Sequence, residues 1–489
     1  MQREKVYAVI GLARAGVPAA RFLAERGARV IGYDNKPLDQ LSAEARALGE
    51  SGVELRTGDH QFVGIAECDT VILSPGLKIY HEPLRSVVQE CEARGAEVIG
   101  ELELAARDCP APIIAVTGTK GKSTTVKLIT EMLQACGLDA IRAGNTGVPL
   151  IAELPNLSPD SWAVVEVSSF QLEKAPTFKP KIAVLLNLLA DHLDYHPTLE
   201  QYWETKLKLF ANQGAGDTAV FNVDDPRVAD LASKQHNDFA FELWQRKVHV
   251  LHSSARIPGY FASIRDGRLG LQPEHQFVPI MEEDRIPLRG EHNKSNVAVA
   301  LATIGAAVGD MTTVEHRQAI ANTVYRFESL PHRLEIVGEV GDVTYVNDSQ
   351  ATIPDATIRA VSAFPTPITL IAGGRAKLDA PEAYDALGRA IAERVDRLIT
   401  IGEAAAMIAG AARRAGFASE KIIDAQTLTN GVAQAKLYTL PGGTVILSPA
   451  CASFDQFSSF EARGDAFRAA VAQLSLNEEQ STSQQNTTA

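Results

Sequence analysis

The stretch IIAVTGTKGKSTT, residues 113–125, decides how the chain is interpreted. Its four opening residues are mostly apolar and predict a buried strand. Thr117–Gly121 then makes a glycine-containing turn, and Lys122 begins a helix. This order builds a phosphate-binding loop, because the N–H groups of the turn and the positive end of the helix face one anion. Lys122 adds charge and Ser123 offers a hydroxyl to Mg²⁺, although Val116 replaces the first glycine of the strict P-loop pattern.

The composition limits the classes of function that the chain can have. With 489 residues, 45% hydrophobic and 22% charged, it fits a globular enzyme of about three domains. A net charge of −13 argues against nucleic acid as the main partner. The five cysteines are scattered without a metal or disulfide spacing. The chain begins without a signal peptide and has no apolar run of about 20 residues, so we expect a cytoplasmic protein with no membrane span.

Strands and helices alternate along almost the whole chain, which predicts an α/β protein. We expect a Rossmann-like N-terminal domain at 1–110, a central P-loop ATPase-type α/β domain at 111–328 and a Rossmann-like C-terminal domain at 329–475. The final segment, 476–489, is polar and low in complexity, and its composition predicts disorder.

The first domain opens with an imperfect dinucleotide-binding pattern. A strand at 6–10 runs into a turn from Gly11 to Gly16, but Ala13 replaces the middle glycine. Asp34 ends the second strand, near where an acid that binds a ribose is expected. Two interpretations stay open, a nucleotide site and a plain tight turn.

Polar residues follow several strands of the central region. Glu166 ends a strand and is placed to ligate Mg²⁺, or to lie in solvent. The loop 187–196 contains two Asp and two His residues. Whether these residues bind a metal stays open. Asn293 and Asn296 lie on one face of a helix, where Asn293 alone would be explained as a cap.

Eight segments in order resemble the Mur ligase family, and two of them, EVSSFQLE and SPACASFDQF, point to its D-glutamate-adding branch. The segments are TGTKGKSTT at 117–125, GNTGVP at 144–149, EVSSFQLE at 166–173, NLLADHLD at 187–194, YWETK at 202–206, GEHNKSN at 290–296, LPHRLE at 330–335 and LSPACASFDQF at 447–457. The resemblance implies an ATP- and Mg²⁺-dependent amide ligase of peptidoglycan synthesis, hence of cell wall biogenesis, cell shape and division. The implied substrates are the small molecules UDP-N-acetylmuramoyl-L-alanine and D-glutamate, joined through an acyl phosphate. We also expect a monomer.

The resemblance also implies the roles of individual residues. Lys122, Glu166, His192 and Lys206 would be catalytic. Two Mg²⁺ sites would use Ser123, Glu166, His192 and Lys206, the last as a carbamate, since a bare ammonium cannot ligate a cation. ATP would be bound by Gly118, Thr119, Lys120, Gly121, Lys122, Ser123, Thr124, Asn293, Asn296, Arg333 and Asp348.

The two other substrates have implied sites as well. The UDP substrate would contact Gly11, Ala15, Gly16, Asp34, Asn35, Lys36, Ser74 and Asn145. D-Glutamate would contact Thr352, Lys377, Ser453, Phe454 and Phe460.

The chain departs from the family pattern at one loop. Where NDSKATN is usual, the sequence has NDSQATI at 347–353, so Gln350 lacks a positive charge and Ile353 lacks an amide. Lys120 stands where Asn is common. We hypothesise that Lys120 partly supplies the charge that is missing at Gln350.

Three alternatives remain at this stage. The first is an NAD-dependent dehydrogenase, based on the Gly11–Gly16 turn. The second is a sibling ligase for another amino acid, or an enzyme that resembles folylpolyglutamate synthetase. The third is a non-catalytic nucleotide-binding paralogue, suggested by Gln350.

Overall fold

The computed structural model describes residues 5–59, 61–192, 195–233, 246–250, 261–272, 276–288, 290–309, 313–328, 330–377 and 380–487. It contains three sheets with helices between their strands, which confirms the predicted α/β class. Leu193 and Asp194 of the predicted metal loop lie outside these residues. Within the described ranges, no helix is both long and apolar enough to cross a lipid bilayer.

The first sheet has five parallel strands in the order β3-β2-β1-β4-β5, with the helices in the crossovers. Its chain order brings β1 to the centre, so the glycine turn after β1 lies at the carboxyl edge of the sheet, where such folds bind ligands. The elements are β1 Val6–Ile10, α1 Gly16–Glu25, β2 Arg29–Asp34, α2 Ala43–Arg46, β3 Glu54–Thr57, β4 Thr70–Leu73, α3 Leu84–Ala93, β5 Glu97–Gly100 and α4 Glu101–Asp108.

The second sheet has nine strands in the order β14-β13-β12-β11-β10-β9-β6-β8-β7. Strands β6 to β12 pair in parallel, whereas β12, β13 and β14 form an antiparallel extension. The elements are β6 Ile113–Thr117, α5 Lys122–Ala135, β7 Ala140–Gly144, α6 Leu150–Glu153, β8 Trp162–Glu166, α7 Ser169–Leu172, β9 Ile182–Leu185, α8 Leu199–Leu207, β10 Thr218–Asn222, α9 Pro226–Ser233, β11 Arg246–Val250, β12 Phe261–Arg265, β13 Arg268–Gln272, β14 Val278–Glu282, α10 Glu291–Val308 and α11 Val314–Tyr325.

The third sheet has six strands in the order β15-β16-β20-β17-β18-β19. Only β15 runs antiparallel to its neighbour. The elements are β15 Glu335–Val340, β16 Val343–Asn347, α12 Pro354–Ser362, β17 Ile368–Gly373, α13 Asp385–Arg394, β18 Arg397–Ile401, α14 Ala405–Arg414, β19 Ile422–Gln426, α15 Leu428–Tyr438, β20 Thr444–Leu447 and α16 Phe460–Thr487.

The last helix enters the segment for which composition predicts disorder. α16 gives helical backbone to most of 476–489. No proline or glycine follows Gly464, so the sequence contains no residue that would interrupt the helix there.

The three sheets fall into two compact units. The first unit contains the chain up to Ile286 together with Ser295–Arg326, and the second contains Pro287–Lys294 and the chain from Phe327 onward. The first two sheets share one unit because a single apolar core joins them; Val9 and Leu102 of the first domain belong to the same cluster as Ile151 and Val165.

Candidate functional site

The phosphate-binding loop of the first unit follows β6, an inner strand, as predicted. Gly118 has φ +148° and Gly121 φ +89°, conformations that favour glycine. A Cβ on Gly121 would lie 2.6 Å from Oδ1 of Asn296, so helix α10 packs directly against this loop. The structure thereby brings Asn296 to this loop, and its predicted role in ATP binding stays a prediction.

Asn187, to which we assigned no role from sequence, holds the loop in shape. Its Oδ1 accepts hydrogen bonds from the backbone N–H groups of Thr119, at 3.0 Å, and Lys120, at 2.9 Å. Its Nδ2 donates to the carbonyl oxygen of Lys120 at 2.9 Å. The position right after β9, the strand next to β6, was the available signal, because neighbouring parallel strands end at one edge.

Two lysines converge on one carbonyl oxygen of the loop. Nζ of Lys122 and Nζ of Lys206 donate to the oxygen of Gly118 at 3.0 and 3.1 Å. Lys206 is 2% exposed, and its ammonium lies 4.5 Å from the centre of the Tyr202 ring. Burial, and then the charge of Lys122, lower the pKa of Lys206 well below its ordinary value. Both effects shift the protonation equilibrium of Lys206 toward the neutral amine.

Glu166 is buried at the end of β8, and its carboxylate collects three donors. Ser123 donates its hydroxyl to Oε2, while Thr146 and Nδ2 of Asn145 donate to Oε1 at 2.7 and 3.0 Å. Ser123 and Glu166, both predicted to ligate Mg²⁺, are in contact, and their ligation of the ion stays a prediction. Asn145, predicted to bind substrate, connects Glu166 to the first domain, since its carbonyl oxygen accepts a hydrogen bond from Arg14.

The loop after β9 separates its two histidines. His192 has φ +56° and a side chain 36% exposed, and its ring packs edge-on against Phe170 with 4.9 Å between centres. Asp191 forms an ion pair with Lys120, with 3.3 Å between Oδ2 and Nζ. His196 is 1% exposed and shares a 3.0 Å hydrogen bond with Ser169, which makes it an interior residue. Only His192 keeps an accessible ring.

The donor atoms of this region fit Mg²⁺ in one respect. A carboxylate and a hydroxyl in contact, Glu166 and Ser123, are the hard oxygen donors that Mg²⁺ prefers. In the part of the chain that the structure describes, no group of three or more His, Cys, Asp or Glu side chains is placed to hold a metal. Mg²⁺ in nucleotide enzymes commonly uses one or two carboxylates together with substrate phosphates, and the pair is compatible with that kind of site.

The glycine turn of the first domain is closed by direct contacts. A Cβ on Gly16 would lie 1.8 Å from the carbonyl oxygen of Gly11, so only glycine fits. That same oxygen accepts a 2.6 Å hydrogen bond from Ser74, which ties the ends of β1 and β4 together. Ala15 precedes the helix as its N-cap.

Asp34 organises the neighbouring loop through both carboxylate oxygens. Oδ2 accepts the N–H of Leu12 at 2.8 Å, and Oδ1 accepts the N–H of Lys36 at 2.9 Å; Asn35 lies between. A cavity of about 520 Å³ opens beside it. The cavity is lined in part by Arg14, Arg21, Lys36, Gln40 and Ser42. Arg14, Arg21, Gln40 and Ser42 were not predicted from the sequence.

The second unit contains the other residues predicted for ATP. Asp348 follows β16, and its carboxylate accepts from Ser448 at 2.8 Å and from the N–H of Leu334 at 3.3 Å. Arg333 precedes β15 and is half-buried. Asn293 is 9% exposed in the first turn of α10.

The residues predicted for D-glutamate follow three strands of the third sheet. Nζ of Lys377, after β17, donates to Oγ1 of Thr352, after β16, at 3.1 Å. Ser453, after β20, is 2% exposed. Phe454 is 63% exposed, and Phe460 begins α16 with its ring 6.3 Å from that of His332. The structure therefore brings Lys377 and Thr352 into contact. Ser453 and Phe454 follow the neighbouring strand β20, and Phe460 begins α16.

The two departures from the family pattern differ in their surroundings. Ile353 is 4% exposed and precedes α12 as its N-cap, so an apolar side chain is accommodated in the core. Gln350 is half-buried, and its backbone N–H donates to the carbonyl oxygen of His332 at 3.1 Å. The compensation hypothesis for Lys120 stays a prediction.

Comparison with known proteins gives three consecutive matches. Family models match residues 5–100, as Mur ligase MurD-like N-terminal domain, 116–304, as Mur ligase middle domain, and 332–451, as Mur ligase glutamate ligase domain. A relative from Pelotomaculum thermopropionicum is 41% identical over 96% of this chain and 98% of its own. The chain belongs to the Mur ligase family.

Other Mur ligases agree in length and fold. Relatives from Thermoanaerobacter sp. and Koribacter versatilis are 36% and 35% identical over 95% and 97% of this chain, and 98% and 99% of their own. All three relatives carry the name UDP-N-acetylmuramoylalanine–D-glutamate ligase. The pseudomurein peptide ligase type C of Methanothermus fervidus is 17% identical, with TM-score 0.55 over 96% of this chain and 100% of its own. The MurF ligase of Thermotoga maritima, solved in complex with ADP, is 15% identical, with TM-score 0.54 over 84% of this chain and 96% of its own.

Membership settles the class of reaction. Mur ligases are ATP-dependent enzymes that form an amide bond, and this chain is such a ligase. The dehydrogenase alternative is therefore wrong. The family requires ATP, which agrees with the phosphate loop after β6.

Proposed function

We propose that the enzyme joins D-glutamate to UDP-N-acetylmuramoyl-L-alanine in the cytoplasm, as a step of peptidoglycan precursor synthesis. One observation carries the substrate assignment: a relative with that activity in its name is 41% identical along nearly the whole of both chains. A sibling ligase would be expected to share the fold with much lower identity, as the solved neighbours do.

The phosphates of ATP would bind at the loop from Gly118 to Thr124. Lys122 already lies across this loop through its hydrogen bonds to Gly118 and Thr119, both at 3.0 Å, and would turn to the β- and γ-phosphates. Ser123 with Glu166 would hold one Mg²⁺, and His192 with carbamylated Lys206 would hold a second. Mg²⁺, when bound, neutralises phosphate charge. Asn293, Asn296, Arg333 and Asp348 would bind the remainder of ATP.

The reaction would proceed in two transfers. The substrate carboxylate attacks the γ-phosphorus of ATP and releases ADP, which leaves an acyl phosphate. The amine of D-glutamate then attacks the acyl carbon, loses a proton and expels phosphate. The protein contributes orientation and fixed charge to both transfers, since neither requires a covalent bond to a side chain.

The nucleotide substrate and the amino acid would bind to different units. The UDP part would enter the cavity beside Asp34 and Lys36, with Arg14 and Arg21 as additional cations for its diphosphate. D-Glutamate has two carboxylates, and Lys377 with the hydroxyls of Thr352 and Ser453 supplies donors suited to them.

Phosphate release tests this proposal. ATP, Mg²⁺ and UDP-N-acetylmuramoyl-L-alanine are supplied with D-glutamate, L-glutamate, L-lysine, L-alanine or no amino acid. We expect release only with D-glutamate. Release with another amino acid would identify a sibling ligase, and no release despite ATP binding would identify a non-catalytic paralogue.

A further inference from the structure

Arg463 is a charged side chain buried inside the second unit. It lies one turn into α16 and is 1% exposed. Its Nε donates to Oγ of Ser349 at 3.0 Å, and Nη2 donates to the carbonyl oxygens of Ser349, at 2.8 Å, and Cys451, at 3.1 Å. Nη1 donates to the oxygen of Ala452 at 3.2 Å. These four acceptors are all uncharged.

A buried guanidinium with neutral acceptors is costly to keep. Desolvation penalises the charge, and stable proteins normally pair such a group with a carboxylate. Burial lowers the pKa of Arg463 to about 10, so the side chain stays protonated at neutral pH, while Cys451, Asp455 and Asp348 oppose the shift. Stability alone gives little reason for an arginine here, because an apolar residue of similar volume often does as well or better at buried ionic positions.

The guanidinium lies where three loops of the third sheet meet. Ser349 follows β16, while Cys451 and Ala452 follow β20. The third loop follows β17: a Cβ on Gly374 would lie 3.0 Å from Nη1 of Arg463 and 2.3 Å from the oxygen of Ala452. Oγ of Ser349 also donates to the oxygen of Phe460 at 2.8 Å, which closes the start of α16 onto the same centre.

Each of these loops carries one residue of the proposed amino-acid site. Thr352 is three residues beyond Ser349, Lys377 is three beyond Gly374, and Ser453 directly follows Ala452. Among the described residues, Arg463 is the buried basic side chain that donates hydrogen bonds to two of these loops.

We propose that Arg463 is the positioning residue of the amino-acid site: its planar fork holds the loops after β16 and β20 by hydrogen bonds and lies against Gly374 of the loop after β17, so that Thr352, Lys377 and Ser453 receive one amino acid together. This inference rests on the proposed function. Arg463 acts through the loops and does not touch the amino acid itself. A lysine has the charge but not the fork of five donors, so it cannot hold these loops in the same way.

The test compares Arg463→Met and Arg463→Lys with Arg468→Met in the full-length enzyme. Arg468 is the matched control: it lies on the same helix and joins it to β15 through Glu335, at 2.8 and 3.1 Å, but it is 40% exposed and away from the loops. KM is measured separately for D-glutamate, ATP and the nucleotide substrate, with the active fraction determined by ATP binding.

We expect Arg463→Met to raise KM for D-glutamate at least tenfold, with the two other KM values within twofold of wild type, and Arg463→Lys to be intermediate. Arg468→Met should leave all three KM values unchanged. In Arg463→Ala, added guanidinium ion should lower KM for D-glutamate again. If the methionine variant does not fold, the lysine variant and the guanidinium titration provide the same comparison.

Two results would overturn the inference. One is an equal rise of all three KM values; the other is a loss of active fraction with KM for D-glutamate unchanged, which is what a purely structural arginine predicts. A wild-type enzyme without D-glutamate-dependent turnover would instead contradict the proposed function. The same KM comparison would then be made with the amino acid that the panel identifies.

Discussion

At the residue scale, Lys206 shows how burial prepares a side chain for chemistry. Nζ of Lys206 and Nζ of Lys122 donate to one oxygen, and the pKa of Lys206 is lowered by burial and by that neighbouring charge. A neutral amine attacks CO₂ and loses a proton to give a carbamate, whereas an ammonium cannot. The environment therefore favours the modification that the proposed second Mg²⁺ site requires.

We predict that removal of CO₂ lowers kcat about tenfold or more, and that bicarbonate restores it. Lys206→Arg should lose activity about a hundredfold and not respond to bicarbonate. Lys208→Arg is the control, since Lys208 lies two residues further along the chain and is exposed. Kinetics in degassed and bicarbonate-supplemented buffer, together with ¹³C NMR of the carbamate, measure both effects. Full activity without CO₂ would refute the modification.

Glu101 is a second buried titratable group, at the start of α4 in the first unit. It is 1% exposed, and its Oε2 has no hydrogen-bond partner among the described residues. Its other oxygen accepts the N–H of Ile151 at 3.4 Å, a long contact. Burial raises the pKa of Glu101 from its usual 4.5 to about 7, only partly opposed by that N–H group and by Arg14.

A raised carboxyl pKa makes the folded state bind the proton more tightly than the unfolded state. Below pH 4.5 Glu101 is protonated in both states, so its ionisation does not change the free energy of unfolding. Between pH 4.5 and 7 the unfolded state loses the proton first, and the free energy of unfolding falls by about 3 kcal/mol in total. We predict that Glu101→Gln removes this loss, so that its advantage over wild type grows with pH up to 7. Denaturant unfolding at several pH values measures it, with the exposed Glu90→Gln as control. A pH-independent difference would contradict the account.

At the scale of elements, the turn between β1 and α1 depends on a glycine contact. A Cβ at position 16 would lie 1.8 Å from the carbonyl oxygen of Gly11. Because that oxygen belongs to the backbone, the clash can be relieved only if the turn or the helix moves. We predict that Gly16→Ala costs at least about 2 kcal/mol of stability. It should also abolish binding of the UDP substrate while ATP still binds.

The matched control is Gly49→Ala in the same domain. There the added Cβ would be 3.8 Å from Leu55, an ordinary contact, and the backbone is not in the left-handed region. Isothermal titration with the UDP substrate and with ATP separates the two effects. Equal binding of the UDP substrate by both variants would refute the role of this turn.

The strands that could be predicted from sequence are the buried parallel ones. Val6–Ile10 agrees to the residue, because a short apolar run between turns leaves little ambiguity. The antiparallel extension β12–β14 was not predicted, because its residues are mixed in polarity.

The candidate site divides in the same way. Ser123, Glu166 and the loop glycines were accessible because each follows a strand in a recognisable pattern. Asn187 and Arg463 were not, because their importance lies in contacts with loops 67 and more than 100 residues away. The sequence indicates which strand ends carry chemistry, but it does not show which interior side chain holds them.

At the scale of the whole molecule, the chain has two compact units although it has three sheets. The first two sheets share one apolar core, and they are also joined by Glu103, which accepts the N–H of Thr177 at 3.1 Å. The third sheet has cores of its own. A shared core couples unfolding, whereas separate cores permit separate transitions.

We predict two calorimetric transitions. Gly16→Ala should lower the Tm of one of them only, and that transition should include the melting of the central sheet as well as the N-terminal one. Scanning calorimetry of wild type and variant, with the UDP substrate added to wild type to raise the Tm of the same transition, makes the assignment. Three transitions, or a shift of both by the variant, would contradict the division into two units.

The central claim is that a carboxylate of the nucleotide substrate is phosphorylated by ATP and then joined to D-glutamate. Its most direct test is mass spectrometry of a reaction in which that carboxylate carries ¹⁸O in both oxygens. The account predicts a product heavier by one glutamyl residue that retains one ¹⁸O, and inorganic phosphate that carries the other. A glutamyl product whose second ¹⁸O leaves in AMP or in water instead of inorganic phosphate, or no product with D-glutamate, would contradict it.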